Sequence, residues 1–199
     1  MIQKKTFSLL LFLSISCFVF AQDSTNKITI FSGKENTRIK IGDTAVDIKH
    51  DYMANYYLVE GERKGKNEDY KGAIDDFSLA IIFDLQDAEA FYNRGLSYYY
   101  LGDYKSAITD ISSAISFDST KENYFIQRGI CYSLQANYPE ARIDFAIALR
   151  LNPDSPNANL NMGVMFLSTG NYEEACPYLN TAKKLGSEKA GEVINKYCK

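Results

Sequence analysis

Residues 88–121 read AEAFYNRGLSYYYLGDYKSAITDISSAISFDSTK, and residues 122–155 read ENYFIQRGICYSLQANYPEARIDFAIALRLNPDS. Laid over each other without a gap, they match Gly95 to Gly129, Tyr104 to Tyr138, Ala107 to Ala141 and Ala114 to Ala148. The same register runs back through Gly61, Tyr70, Ala73 and Ala80, and forward through Gly163, Tyr172, Ala175 and Ala182. One unit of 34 residues therefore recurs from Ala54 to Ser187, as units 54–87, 88–121, 122–155 and 156–187. Self-similarity at such a period marks an array of stacked supersecondary units.

Each unit holds two stretches of helical spacing. Phe91, Gly95 and Tyr98 share one helix face, and Tyr104, Ala107, Ile111 and Ala114 share another. Between them stand Gly102-Asp103, Ala136-Asn137 and Gly170-Asn171, residues suited to ending one helix and capping the next. A glycine inside a helix costs about 1 kcal/mol against alanine. Its return in every unit predicts that a partner helix crosses there and leaves no room for a side chain. Arg94 and Arg128, each directly before a repeat glycine, face the interhelical side and are expected to pair with neighbouring acids. The acidic pairs Asp75-Asp76 and Glu173-Glu174 fall at polar helix positions and read as a solvated face.

These positions resemble those of the tetratricopeptide repeat family. Unit 3 is nearest its pattern, with Phe125, Gly129, Tyr132, Tyr138, Ala141, Phe145, Ala148 and Pro153; unit 1 departs at Lys64 and Glu68, and unit 4 at Asn159 and Leu179. The resemblance implies an all-α, right-handed α-solenoid of four helix-turn-helix repeats, with residues 188–199 as a capping helix. It also implies a concave groove lined by the first helix of each unit. The positions that would line it are Leu58 in unit 1, and Tyr92, Asn93, Leu96 and Tyr99 in unit 2. Ile126 and Ile130 follow in unit 3, and Leu160, Asn161 and Val164 in unit 4. Asn93 and Asn161 carry both donor and acceptor and suit an extended peptide backbone. The carboxylate-clamp subtype needs Lys, Arg and Asn at set groove positions. Here they hold Leu58, Glu62, Asn93, Asn123 and Gln127, so that subtype's function is not expected.

The ends of the chain differ from the array. Residues 1–21 read as a secretory signal peptide: Lys4 and Lys5, an apolar run from Phe7 to Phe20, and Val19-Phe20-Ala21 before Gln22. The run is shorter than the roughly 20 residues of a membrane-spanning helix. Lipidation at Cys17 is the alternative processing, opposed by the apolar residues that continue beyond it. Residues 22–53 form a leader with period-two patches at Ile28/Ile30, Ile39/Ile41 and Val46/Ile48. It is either disordered or a short β-hairpin turning at Ser32–Asn36, and it could occupy the groove as a lid. The Lys-Lys signal and the Tyr- and Asn-rich composition resemble exported proteins of Bacteroidetes-type bacteria.

Chemistry is sparse. The net charge is −3 and the pI near 5.3, which argues against nucleic-acid binding. At 46% hydrophobic the chain is too apolar for a disordered polymer. The single His, His50, precedes the first repeat, so no thiol has an evident base and no zinc set is visible. Phosphate-binding glycine loops are absent. No catalytic residues, metal or cofactor are assigned, and the chain is not expected to be an enzyme. Cys176 and Cys198 lie ten and eleven residues either side of a turn at Gly186-Ser187, so antiparallel helices folding there would bring them together. They are expected to form a disulfide in an exported protein, the alternative being two buried free thiols. Cys131 is expected as a free core thiol.

The sequence thus predicts a monomeric, exported, periplasmic or secreted scaffold or adaptor that binds a peptide or helix of another protein in its groove. The alternative is a ligand- or glycan-binding accessory module of an envelope enzyme or transport complex, since tyrosine-lined clefts can stack on sugars.

Overall fold

The computed structural model describes residues 16–21, 27–33, 35–41 and 44–198. The chain divides into two compact units, Met1–Met53 and Ala54–Lys199. Most of the expected signal segment, residues 1–15, lies outside the described residues.

The first unit carries an antiparallel meander of four six-residue strands in the order β1-β2-β3-β4. They are β1 (Ser16–Ala21), β2 (Lys27–Ser32), β3 (Asn36–Ile41) and β4 (Thr44–Lys49). The period-two patches set the register: Ile28 opposes Ile41, Ile30 opposes Ile39, and Ile39 opposes Val46. Arg38 and Asp47 stand opposite each other on β3 and β4 and pair through two contacts of 2.6 and 2.8 Å. His50 closes this unit, its Nε2 lying 2.8 Å from the Thr37 hydroxyl.

The array is all helix. First and second helices alternate through α1 (His50–Lys66), α2 (Tyr70–Phe83), α3 (Ala88–Tyr100), α4 (Tyr104–Phe117), α5 (Glu122–Leu134), α6 (Tyr138–Leu151), α7 (Pro156–Ser168) and α8 (Tyr172–Lys184), and α9 (Glu188–Tyr197) follows. Each second helix begins on the periodic tyrosine, behind Asp69, Asp103, Asn137 or Asn171. The carboxylates of Asp69 and Asp103 accept the N–H groups of Gly72 and Ser106, satisfying donors that the helix start leaves unpaired. The turn before each cap requires a left-handed residue, which Gly102 (φ 80°) and Gly170 (φ 78°) supply without strain. Glu68 and Ala136 occupy the same conformation with side chains attached. Pro177 sits inside α8, and the helix runs on through it to Lys184.

The repeat glycines sit where the second helix crosses the first. A Cβ on Gly61 would stand 2.6 Å from the Phe77 ring, and one on Gly129 would stand 2.7 Å from the Phe145 ring. Ile111 fills the same role beside Gly95 and Leu179 beside Gly163. Opposite each glycine, sixteen residues on, the second helix thus presents its large apolar side chain. The periodic alanines of the second helices have no exposed surface. First helices of successive repeats touch one another, α3 with α5 and α5 with α7, and so form one continuous wall.

A polar clamp ties repeat to repeat. Arg94 on α3 donates to both oxygens of Asp110 on α4, at 2.7 and 2.8 Å, and reaches back 3.0 Å to the Ser78 hydroxyl of the preceding repeat. Arg128 repeats this one unit later with Asp144 (2.8 Å twice) and Ser112 (3.0 Å). Asp110 and Asp144 are buried, so the bidentate pairing compensates the loss of water around each carboxylate. Asp76 is their counterpart in repeat 1. It is only 7% exposed and bonds to Lys64 at 2.6 Å, which corrects its reading as part of a solvated face. Lys64, a departure from the family pattern, is the substitute for the arginine absent from repeat 1.

Cys176 on α8 and Cys198 after α9 are bonded to each other, with their Cα atoms 5.7 Å apart. The bond ties α9 to α8, and α9 itself buries only Ala190. Cys131 is a buried free thiol, and burial pushes its pKa up to about 12. Such a thiol carries almost no thiolate near neutral pH and is a packing group.

Candidate functional site

The inner wall is built by α1, α3, α5 and α7. On it the residues singled out from the sequence separate into core and surface. Ile126 is 8% exposed and packs with Phe125, Ala148 and Ala158, so it belongs to the core rather than to an open groove. Ile130 bridges two core clusters. Leu58 is half-buried against Ala80, Ile81 and Ala90. Tyr92 lies on Tyr124 with ring centres 4.5 Å apart. Burial raises the pKa of the Tyr92 hydroxyl, and a hydrogen bond with Asn123 pulls it part of the way back. Tyr99 packs against Tyr104 at 5.9 Å and meets Tyr100 edge-on at 5.2 Å.

In repeat 4 the wall is more open but locally satisfied. Val164 is exposed and Leu160 half-buried. The Asn161 side-chain amide donates to the Asn157 carbonyl in its own helix at 2.8 Å, so its donor is committed there.

Asn93 and Leu96 come together in a cleft of about 360 Å³ where α1, α2 and α3 meet. Glu62, Glu89 and Lys66 supply its charge, and Tyr70, Phe77 and Tyr100 its aromatic surface. Lys66 stands 3.8 Å from Glu62, leaving Glu89 as the acidic group without a basic neighbour at salt-bridge distance among the described residues. Tyr100 is 59% exposed and stacks on Tyr70, ring centres 4.8 Å apart and planes 15° from parallel. A flat aromatic pair beside an asparagine amide offers stacking surface and a backbone-like hydrogen-bonding group in one place. In the sequence Tyr70 stands only as a periodic position of the repeat. The available signal was phase: the positions equivalent to Tyr100 are Leu134 and Ser168, so of these three positions this one alone holds an aromatic residue. Among the described residues, no group of three His, Cys, Asp or Glu side chains is placed to hold a metal ion.

Family models of the tetratricopeptide repeat match residues 88–121 and 135–190. The chain is a tetratricopeptide repeat (TPR) protein. No curated protein matches it. Among solved structures, the TPR protein resembles YrrB, described as a TPR protein with an unusual peptide-binding site, at 24% identity and a TM-score of 0.65, over 72% of this chain and 74% of that one. It resembles PilF of Pseudomonas aeruginosa at 18% identity and a TM-score of 0.66, over 74% and 70% of the two chains. The second TPR domain of human RPAP3, solved with an HSP70 peptide, matches at 25% identity and a TM-score of 0.57, over 58% of this chain and 97% of that domain.

Proposed function

We propose that this TPR protein is a non-enzymatic scaffold of the bacterial cell envelope that holds a peptide or helix of another protein on its inner wall. The observation that carries the reading is the cleft at Asn93, Leu96 and the Tyr70–Tyr100 stack. An apolar side chain of a partner would enter between Leu96 and Tyr100, while its backbone bonds to the Asn93 amide. Glu62 and Glu89 at the same cleft favour a neutral or basic segment over an acidic one. The peptide-binding site described for YrrB and the HSP70-peptide complex of the RPAP3 domain support the peptide class of ligand.

Export rests on the signal-like residues 1–21 and on the Cys176–Cys198 bond, which would persist in an oxidising compartment. Cleavage after Ala21 would remove β1 and leave β2, β3 and β4. Among the described residues no helix is long and apolar enough to cross a membrane.

Affinity capture from native envelopes tests the scaffold, comparing wild type with Asn93→Ala/Leu96→Glu. The expected result is a defined protein partner lost from the variant at unchanged thermal stability. Equal capture by the variant would overturn the site, and glycan-array binding without any captured protein would overturn the scaffold. N-terminal sequencing should find Gln22 first; an intact Met1 in the cytoplasmic fraction would overturn export.

A further inference from the structure

The polar clamp breaks at one junction. Where repeats 2 and 3 carry Arg94 and Arg128, repeat 4 carries Met162; where they carry Asp110 and Asp144, it carries Tyr178. The serine contributed by the preceding repeat, Ser78 or Ser112, becomes Ala146. All three members of the triad change together. In their place lies a cleft of about 480 Å³ between α6, α7 and α8.

Its chemistry is amphipathic. Ile143, Met162, Phe166 and Tyr178 give it an apolar lining, with the Phe166 and Tyr178 rings stacked at 5.8 Å. Arg142 and Arg150, both exposed, complete it. Their equivalents in the earlier repeats are Ile74 and Ile108 for the first, and Ile82 and Ser116 for the second. So two cations arrive at the junction that loses its internal ion pair. Neither has an acidic partner among the described residues, whereas Arg94 and Arg128 are fully engaged. Eight residues of helix place the Cα atoms of Arg142 and Arg150 about 12 Å apart along α6.

We propose that this cleft is a second docking site, distinct from the inner wall, for an acidic peptide segment of another protein. The segment carries one aromatic or branched aliphatic anchor between two carboxylates. The anchor fills the space that the clamp occupies elsewhere, against Met162 and the Phe166–Tyr178 stack. The flanking carboxylates pair with Arg142 and Arg150, whose guanidinium forks donate to both oxygens in bidentate geometry. The occupant is a peptide rather than a small inorganic anion because the apolar space between the two arginines, lined by Ile143, Met162 and the Phe166–Tyr178 stack, calls for a side-chain anchor as well as carboxylates. Its charge preference is opposite to that of the inner cleft, where Glu62 and Glu89 stand. A scaffold with two such sites holds two chemically different segments at once.

The test is fluorescence anisotropy of the full chain against synthetic twelve-residue peptides, each with one Phe, Tyr, Leu or Ile anchor between two Asp or Glu residues at varied spacing. Saturable binding is expected for acidic members, at least tenfold tighter than for Asn/Gln counterparts. Arg142→Ala/Arg150→Ala should weaken it tenfold or more, and Ala146→Phe, which fills the cleft from an exposed position, should abolish it. Asn93→Ala/Leu96→Glu should leave it unchanged, which separates this site from the inner-wall reading. Equal binding of the neutral peptides, no saturable binding, retention in the double arginine variant, or binding of decanoate but no peptide would each overturn the proposal.

Discussion

The first two repeat junctions that carry arginine and the third solve one packing problem with opposite chemistry. At Arg94–Asp110–Ser78 and Arg128–Asp144–Ser112 a buried ion pair within one unit holds an arginine that also bonds to a serine of the unit before it. At Met162–Tyr178–Ala146 the same three places are apolar, and surface is left open instead of closed. A buried ion pair adds little net stability over apolar groups of equal volume, but it tolerates only one geometry. The space at the clamp itself is therefore filled at the two clamped junctions, and the same space is free to receive a ligand at the unclamped one.

Removing half of a clamp should have the largest effect. Arg128→Ala leaves Asp144, 1% exposed, as a buried charge without its partner and should cost about 3–5 kcal/mol in urea unfolding. Converting the junction to the third one's solution, Ser112→Ala/Arg128→Met/Asp144→Tyr, should cost clearly less than the single change. Equal losses would show that the two chemistries are not interchangeable.

The far side of the unclamped junction depends on covalent support. Cys176→Ser should lower stability by up to about 3 kcal/mol on the chain-entropy model, and hydrogen exchange should speed up in α9 before any other helix. Uniform exchange across the array would mean that α9 holds by packing alone.

Within a clamped unit, Gly129→Ala drives a Cβ to 2.7 Å from Phe145. Overpacking of this kind costs about 1–3 kcal/mol, against about 1 kcal/mol gained in helix propensity, so a small net loss is expected from thermal melting. A gain would show that the Phe145 ring can retreat.

The smallest effect should come from mild alkali, just above about pH 9, where little of the linked stability has yet been lost. Tyr124 and Cys131 share the core of the clamped repeats, and burial raises both pKa values to about 12, from 10.0 and 9.0. Each folded-state pKa lies above its unfolded value, so the folded form binds the proton more tightly. Stability is then complete below about pH 9 and falls as pH rises toward 12. Repeats 2 and 3 should loosen before repeat 4, read by tyrosinate absorbance together with hydrogen exchange.

The array was legible from the chain because its determinants are local and periodic. The glycine, tyrosine and alanine positions mark crossings, helix starts and close contacts, and each recurs at fixed phase. The expected pairing of Arg94 and Arg128 with acids follows from position alone, and both pairs are present. Asp76 escaped because a carboxylate looks solvated until the neighbouring helix brings Lys64 to it. Ile126 and Tyr92 are groove positions by resemblance to the family, which transfers by phase along the first helix. Phase cannot tell how deeply a neighbouring repeat buries a given turn, and Ile126 turned out to be core. Tyr70 escaped for the converse reason, since its structural role concealed a stacking partner thirty residues away.

What the sequence determined by itself is the unit, its number and its internal order, because a 34-residue repeat writes each short-range contact four times. What only the tertiary structure decided is which repeated positions stay open. That depends on side chains from α6, α7 and α8 converging at one junction, and on whether the groups meeting there can neutralise and fill one another. Arg128, Asp144 and Ser112 do so, and Met162, Tyr178 and Ala146 do not.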